Sequence, residues 1–168
     1  EKDGTFGSKL HPEAGFAVDA PATAPDLHEM DAARSELLTR WSDMHYDPVQ
    51  DPEAFEALDA ALQKSSVECA SAAVLSAYPD AATLVLKENE DGENQYEIEK
   101  ILDADGNELA DTEDPDFDIP YGDNAFVQET VWMLNPADNG WAADRAVITK
   151  KMGTKFAAVD LKAVLASR

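Results

Sequence analysis

Carboxylates are the reactive groups that this chain offers in greatest number, and they concentrate in one segment. Residues 88–118, the acidic segment, contain fourteen acidic side chains and a single base, Lys100. Two carboxylates perform acid–base catalysis when burial or a neighbouring like charge separates their pKa values. These acids instead fall in turn sequences and on alternate positions of a β-rich run, where water solvates them. The pattern favours a solvated binding surface and predicts no catalytic residue.

A calcium loop is the second chemistry that these acids suggest. Asp103 and Asp105 alternate as the first oxygen ligands of an EF-hand loop do. That loop also needs Gly at its sixth position and Glu at its twelfth. Counted from Asp103, those positions hold Glu108 and Asp114. A hairpin turn at Asp105-Gly106 explains the residues without a metal, so we predict no metal ligand.

Histidine and cysteine supply no stronger candidate. His11, His28 and His45 are 17 residues apart each time, which is not a zinc-binding spacing. Cys69 lies among Ala and Ser beside Glu68, whereas a reactive thiolate needs a positive environment. We interpret it as a small residue at a helix contact. No glycine-rich phosphate loop or nucleophile elbow occurs, so no cofactor is predicted.

The net charge of −22 restricts the partners. Nucleic acid and anionic membranes would be repelled, so neither is expected as a direct partner. Residues 140–168, the basic tail, carry six bases against two acids. This uneven distribution argues against a halophilic origin, because a halophilic protein would spread its acids over the whole surface. A single cysteine suits a reducing compartment, and no apolar run approaches the ~20 residues of a membrane span. We therefore expect a cytoplasmic protein.

We expect the acidic segment to dock on a basic protein surface, without enzymatic activity. DNA mimicry of the antirestriction type, with a nucleic-acid-binding protein as partner, is the specific form of this hypothesis. Two alternatives stay open: a small enzyme with no recognisable motif, and a structural homo-oligomer in which the basic tail of one copy meets the acidic sheet of another. The expected partner-binding residues are Glu97, Glu99, Asp103, Asp105, Glu108, Asp111, Glu113 and Asp114.

The N-terminal half is predicted to be helical after a flexible arm over residues 1–24, which is rich in Gly and Pro. Apolar residues at helical spacing indicate a first helix over 27–44, capped by Asp26 and ended by Asp47-Pro48. Asp51-Pro52 is typical of a second helix start. A third, Ala-rich helix is expected over 66–77, at the centre of the packing.

The acidic half is predicted to be an antiparallel meander with one dry face and one acidic face. Its three segments are residues 83–86, 96–102 and 108–110, joined by turns at Asp91-Gly92 and Asp105-Gly106. Residues 111–118 should form a solvated loop.

The last third is predicted to begin with an amphipathic helix from Asp123 to Leu134. Strands at 147–148 and 156–159 follow, joined by a turn at Gly153, and Asp160 caps a final helix. The whole is an α+β fold, with a single domain over residues 25–168.

Three short motifs carry a family resemblance. The arm contains Gly-x-Phe-x-x-Lys-x-His-x-Glu over residues 4–13, an Asp-Ala-Asp-Gly turn occupies 103–106, and Val-Asp-Leu precedes the last helix at 159–161. In these motifs the chain resembles very acidic, uncharacterised proteins of actinobacteria and of their plasmids and phages. The resemblance implies a mobile-element origin and assigns no site residue.

Overall fold

The computed structural model describes residues 26–46, 51–89, 94–121 and 125–168. The predicted arm and its motif lie outside these residues, as do the breaks at Asp47-Pro48 and Asp91-Gly92. The described residues form an α+β fold with helices before and after an antiparallel sheet, which confirms the fold class. In chain order the elements are α1 Leu27–Tyr46, α2 Pro52–Ala77, β1 Ala81–Glu88, β2 Tyr96–Asp103, β3 Pro120–Tyr121, β4 Ala125–Phe126, α3 Val127–Val131, a 3₁₀ turn Ala143–Arg145, β5 Ala146–Lys151, β6 Thr154–Asp160 and α4 Leu161–Ala166.

The main sheet has the strand order β2-β1-β6-β5, and every pair is antiparallel. The predicted meander is correct for β1 and β2 and wrong for its third strand. Of residues 108–110, Glu108 makes one isolated bridge, to Leu102. Strand β6 takes the place beside β1 instead, because Ala157 and Val159 bring a fully buried apolar face to that position.

Helix α2 is continuous where the sequence analysis expected two helices. No Gly or Pro interrupts residues 53–77, and Gln63 and Ser66 are buried near the expected break. As predicted, Asp51 caps its start, accepting from the N–H groups of Glu53 and Ala54 at 3.1 and 3.2 Å. The Ala-rich half of α2 packs against α1, α3, α4 and β1, which makes it the centre of the core.

Two other helices differ from their predictions. In α1 the inward position falls on Arg34, which is 7% exposed, whereas Ala33 is exposed. Helix α3 has five residues and follows a short strand, although Val127, Val131 and Leu134 are all buried as expected. The closing hairpin and the last helix are confirmed, since Asp160 caps α4 through the N–H groups of Lys162 and Ala163.

Side chains alternate along the sheet between a covered and an open face. Leu84 and Leu86 are buried against the helices, whereas Val85 between them is only half-buried. Ala158 and Val147 lie in the same cross-strand row as Val85, on the open face.

No helix among the described residues is long and apolar enough to cross a membrane.

Candidate functional site

Strand β2 carries the first predicted binding residues on an edge of the main sheet. Its buried positions are Tyr96, Ile98 and Ile101, so the inward spacing changes from two to three residues. The cause is an irregularity in the pairing with β1, at which Glu99 is the extra residue. A strict alternation would have turned Lys100 into the core, and the bulge keeps it exposed instead.

Residues 108–113, the returning segment, lie beside β2 and cover part of its outer edge. Hydrogen bonds along β2 join the strand backbone to groups outside the sheet ladder. They include the Leu109 N–H to the Ile101 carbonyl (2.8 Å), the Thr112 hydroxyl to the Glu99 carbonyl, and the Ile98 N–H to the Gln128 carboxamide oxygen (3.2 Å). The edge is therefore protected against pairing with another strand. A partner that approaches β2 from this side would meet side chains rather than free backbone groups.

The strand and the returning segment enclose an acidic hollow. It is lined by Glu97, Ile98, Glu99, Lys100, Glu108, Thr112 and Glu113. Four carboxylates thus face one ammonium group, which leaves an excess of negative charge. The Lys100 ammonium donates to the Glu108 carboxylate at 2.8 Å.

The acids of the hollow act on its single base. The hydrogen bond to Glu108 raises the pKa of Lys100 above its usual value, and the charges of Glu108, Glu99 and Glu113 add to this effect. The lysine therefore stays protonated. It holds the returning segment to the strand, while the other three carboxylates remain available to cations outside the chain.

The turn beyond β2 is organised by Asp103. Its carboxylate accepts from the N–H groups of Asp105 and Asn107 at 2.9 and 2.8 Å, and from the Asn107 side-chain amide at 2.9 Å. These bonds, first among them those from Asn107, hold the pKa of Asp103 below its usual value. Gly106 occupies the left-handed region at φ +84°. The predicted turn is confirmed, and its first acid serves the turn itself.

The exposed loop that follows uses two more predicted acids in a similar way. The carboxylate of Asp111 accepts from the Glu113 N–H at 3.2 Å, and that of Asp114 accepts from the Asp116 N–H at 2.9 Å. Such bonds to an amide two residues ahead form Asx turns, which stabilise the loop locally. Both Asp111 and Asp114 remain exposed.

The structure brings together four of the eight predicted residues and spreads the others over the neighbouring turn and loop. Glu97, Glu99, Glu108 and Glu113 line the hollow, as given above. Asp105 is exposed at the turn. Sequence reasoning missed Lys100, although its position as the only base in the acidic segment was an available signal. It also missed Gln128, for which the sequence offered no signal.

Strand β5, which carries Lys150 and Lys151, lies away from these acids. The order of the main sheet puts β2 and β5 at opposite edges. One contact joins Lys155 to the acidic segment, through its backbone N–H and the Glu88 carboxylate at 2.9 Å. Within one copy, β5 therefore does not lie beside the acidic segment. The tryptophans differ in exposure, since Trp141 is buried and Trp132 is 44% exposed.

A second charged cluster surrounds Glu68 on α2. Its carboxylate, which is 13% exposed, lies 3.9 Å from Lys64 and Arg145 and 3.8 Å from Arg168. The neighbouring Cys69 is fully buried, and burial raises the pKa of its thiol to about 11. The thiol is therefore protonated at neutral pH and cannot act as a nucleophile.

In the part of the chain that the structure describes, no group of three or more His, Cys, Asp or Glu side chains could hold a metal ion. Comparison with known proteins gave no matching family model, curated protein or solved structure. The resemblance to acidic actinobacterial proteins therefore stays a prediction.

Proposed function

We propose that this protein is a non-enzymatic binding module whose acidic hollow docks on a basic protein surface. The observation that carries the proposal is the convergence of Glu97, Glu99, Glu108 and Glu113 on one hollow with a single lysine. Lysine and arginine side chains are the partners that such an arrangement attracts. Long-range attraction from the rest of a chain of net charge −22 would speed the encounter with them.

The protected edge of β2 supports recognition by charge rather than by strand pairing. Its backbone groups are occupied by Leu109, Thr112 and Gln128. A partner would therefore contact carboxylates, and its affinity would fall as salt screens them. The acids are also held in place, two of them on a strand and two on the segment bonded to it.

DNA mimicry is the finer form of the proposal. A mimic presents carboxylates where a duplex presents phosphates, and the acids of the hollow, the turn and the loop would supply that series. The partner would then be a basic, nucleic-acid-binding protein. Its binding to this chain and to duplex DNA would be mutually exclusive, since both would occupy the same cleft.

The experiment compares two variants of equal charge. The hollow variant is E97Q/E99Q/E108Q/E113Q. The matched control removes four exposed acids elsewhere, as E36Q/D43N/E56Q/D80N. Each immobilised protein is exposed at low salt to lysate of the source organism, and bound proteins are eluted by a salt gradient and identified by mass spectrometry.

The identified partner is then purified and its affinity for each variant is measured. We expect the control to bind as the native chain does and the hollow variant to lose binding. Competition by duplex DNA would support mimicry. Equal loss in both variants would show that net charge alone is responsible and would contradict the proposed site.

Head-to-tail association of copies is the second candidate, favoured by the opposite charges of the two sheet edges. Strand β5 ends in Lys150-Lys151, whereas β2 borders the acidic hollow. Sedimentation at several protein concentrations tests this candidate. A mass that grows with concentration at low salt and falls at high salt would support it, and a constant monomer mass would contradict it.

A further inference from the structure

Strand β5 is the edge of the main sheet that no other described residue pairs with. The turn at Met152-Gly153, with φ values of +51° and +98°, joins it to β6 as a two-residue hairpin. In such a hairpin the flanking Lys151 and Thr154 exchange hydrogen bonds, and bonded pairs alternate from there. Ile148 and Lys150 consequently direct their backbone N–H and C=O groups away from the sheet.

The side chains along this free edge divide into an apolar half and a basic half. Val147 is 66% exposed, and Ile148 beside it is half-buried. Thr149, Lys150 and Lys151 are exposed. A strand lying beside β5 would therefore meet aliphatic side chains at one end and two ammonium groups at the other.

Grooves border the start of β5 on both sides. The 3₁₀ turn Ala143–Arg145 and the end of α4 line one of them. The same turn lines the other together with Val147, Ala158 and Asp160. An added strand points alternate side chains to opposite faces of a sheet, so each face offers it a place.

We infer that β5 is a strand-addition site for an extended acidic segment of a partner protein. The segment runs antiparallel to β5, with acidic residues opposite Lys150 and Lys151 and β-branched residues opposite Val147 and Ile148. Its backbone bonds to the outward groups of Ile148 and Lys150 supply affinity, and the ion pairs with the lysines select acidic sequences. The site is independent of the acidic hollow.

Other occupants fit this edge less well. The β2 edge of a second copy is already bonded to Leu109, Thr112 and Gln128, as shown above. Two antiparallel copies of β5 would set the lysines of each against the aliphatic residues of the other, so no lysine would gain an acidic partner, and lysines on an edge strand disfavour such pairing. Nucleic acid carries no peptide N–H and C=O groups that could pair with the outward backbone groups of β5.

The test uses a fluorescein-labelled peptide, Glu-Glu-Thr-Val-Val-Ala, whose register places the two Glu residues opposite the two lysines. Binding to the full chain is followed by fluorescence anisotropy. Two N-methylated versions of the peptide test its backbone hydrogen bonds without any change to the protein. Methylation of the first Val blocks an N–H that faces Ile148, whereas methylation of Thr blocks one that faces solvent.

A protein variant tests the same geometry from the other side. In K150P the outward N–H is removed without loss of a bond to β6, and proline is tolerated at such edge positions. In K150Q the N–H stays and only the charge is lost. Circular dichroism of each variant checks the fold.

We expect methylation at Val and the K150P substitution each to weaken binding by about tenfold or more. Methylation at Thr should leave binding unchanged. K150Q should weaken binding less than K150P does and should reduce the salt dependence, because Lys151 still pairs with the peptide. Equal binding of both methylated peptides, or no binding of any, overturns the inference and leaves Lys150 and Lys151 as edge protection. A protein mass that grows with concentration and is reduced by the peptide overturns it too, because the occupant would then be a second copy.

Discussion

The carboxylate of Glu88 accepts a hydrogen bond from the backbone N–H of Lys155 at 2.9 Å. Glu88 is the last residue of β1, and Lys155 is the second residue of β6. Glu88, the first acid of the acidic segment, therefore joins the end of β1 to the beginning of β6, the two central strands of the main sheet. It belongs to the fold, whereas the acids of the hollow face outward.

Loss of this contact should weaken the fold. In Glu88→Ala the Lys155 N–H loses its acceptor, and we expect the free energy of unfolding to fall by about 1 kcal/mol. Glu88→Gln keeps an acceptor oxygen and should lose less. Urea denaturation measures both, with the exposed Glu36→Ala as a matched control. An equal effect of the alanine substitutions at 88 and 36 would contradict a specific role for Glu88.

Asp59 belongs to a chain of hydrogen bonds that links α1, α2 and the segment after α3. Its carboxylate accepts from Trp41 Nε1 at 2.7 Å and from the Gln63 carboxamide at 2.6 Å. Gln63 in turn accepts from the Asn135 N–H at 3.1 Å. We expect Asp59→Ala to lower the free energy of unfolding by about 2 kcal/mol, since two partners lose a charged acceptor. Tryptophan emission should change in the folded state as well, and unchanged emission would show that the Trp41 contact is not made.

The turn at Asp103 should give acid sensitivity of a defined sign. Its folded-state pKa lies below the ordinary value of 3.8, so the ionised form favours the fold. The contribution is present above pH 3.8 and is lost as the pH falls through the lower folded-state value. The difference in urea midpoint between the native chain and Asp103→Ala should therefore be constant from pH 7 to about 5 and shrink in stronger acid. A difference that grows in acid would contradict the assigned sign.

Local chemistry predicted much of this fold. Asp51 and Asp160 were recognised as helix caps because an acid before a helix can accept from its first free N–H groups. The closing hairpin followed from a glycine between two β-rich runs. The division of α2 into two helices is wrong, since the helix is continuous and buries Gln63 and Ser66 where the break was expected.

Long-range pairing was the part that the sequence could not predict. Strand β6 joins β1 across about seventy residues, and no local signal favours it over the nearer segment 108–110. The set of acids that line the hollow could not be predicted either. The sequence predicted acids on β2 and on the returning segment. The bulge at Glu99 and the bond from Gln128 decide which of them share one space.

Cys69 should be inert in the folded protein. Burial raises the pKa of its thiol to about 11, so both access and thiolate are lacking at pH 8. We expect no reaction with a thiol-specific chromogenic reagent under native conditions and complete reaction of one thiol per chain in concentrated urea. Rapid labelling of the folded chain would show that α1 opens away from α2. Added urea below the unfolding transition should not increase the rate if the helices stay packed.

The protection of the β2 edge predicts a change in assembly. Thr112→Val together with Gln128→Ala removes the two side chains that occupy its outward backbone groups at Glu99 and Ile98. A freed edge next to acids should then pair with the free, lysine-bearing edge of β5 in another copy, and because the two edges differ, growth continues head to tail. Light scattering should show a mass that rises with protein concentration in this double variant and not in the native chain. Adding Lys150→Pro should reverse the rise, since it blocks the receiving strand. A double variant that stays monomeric would mean that the returning segment covers β2 through Leu109 alone.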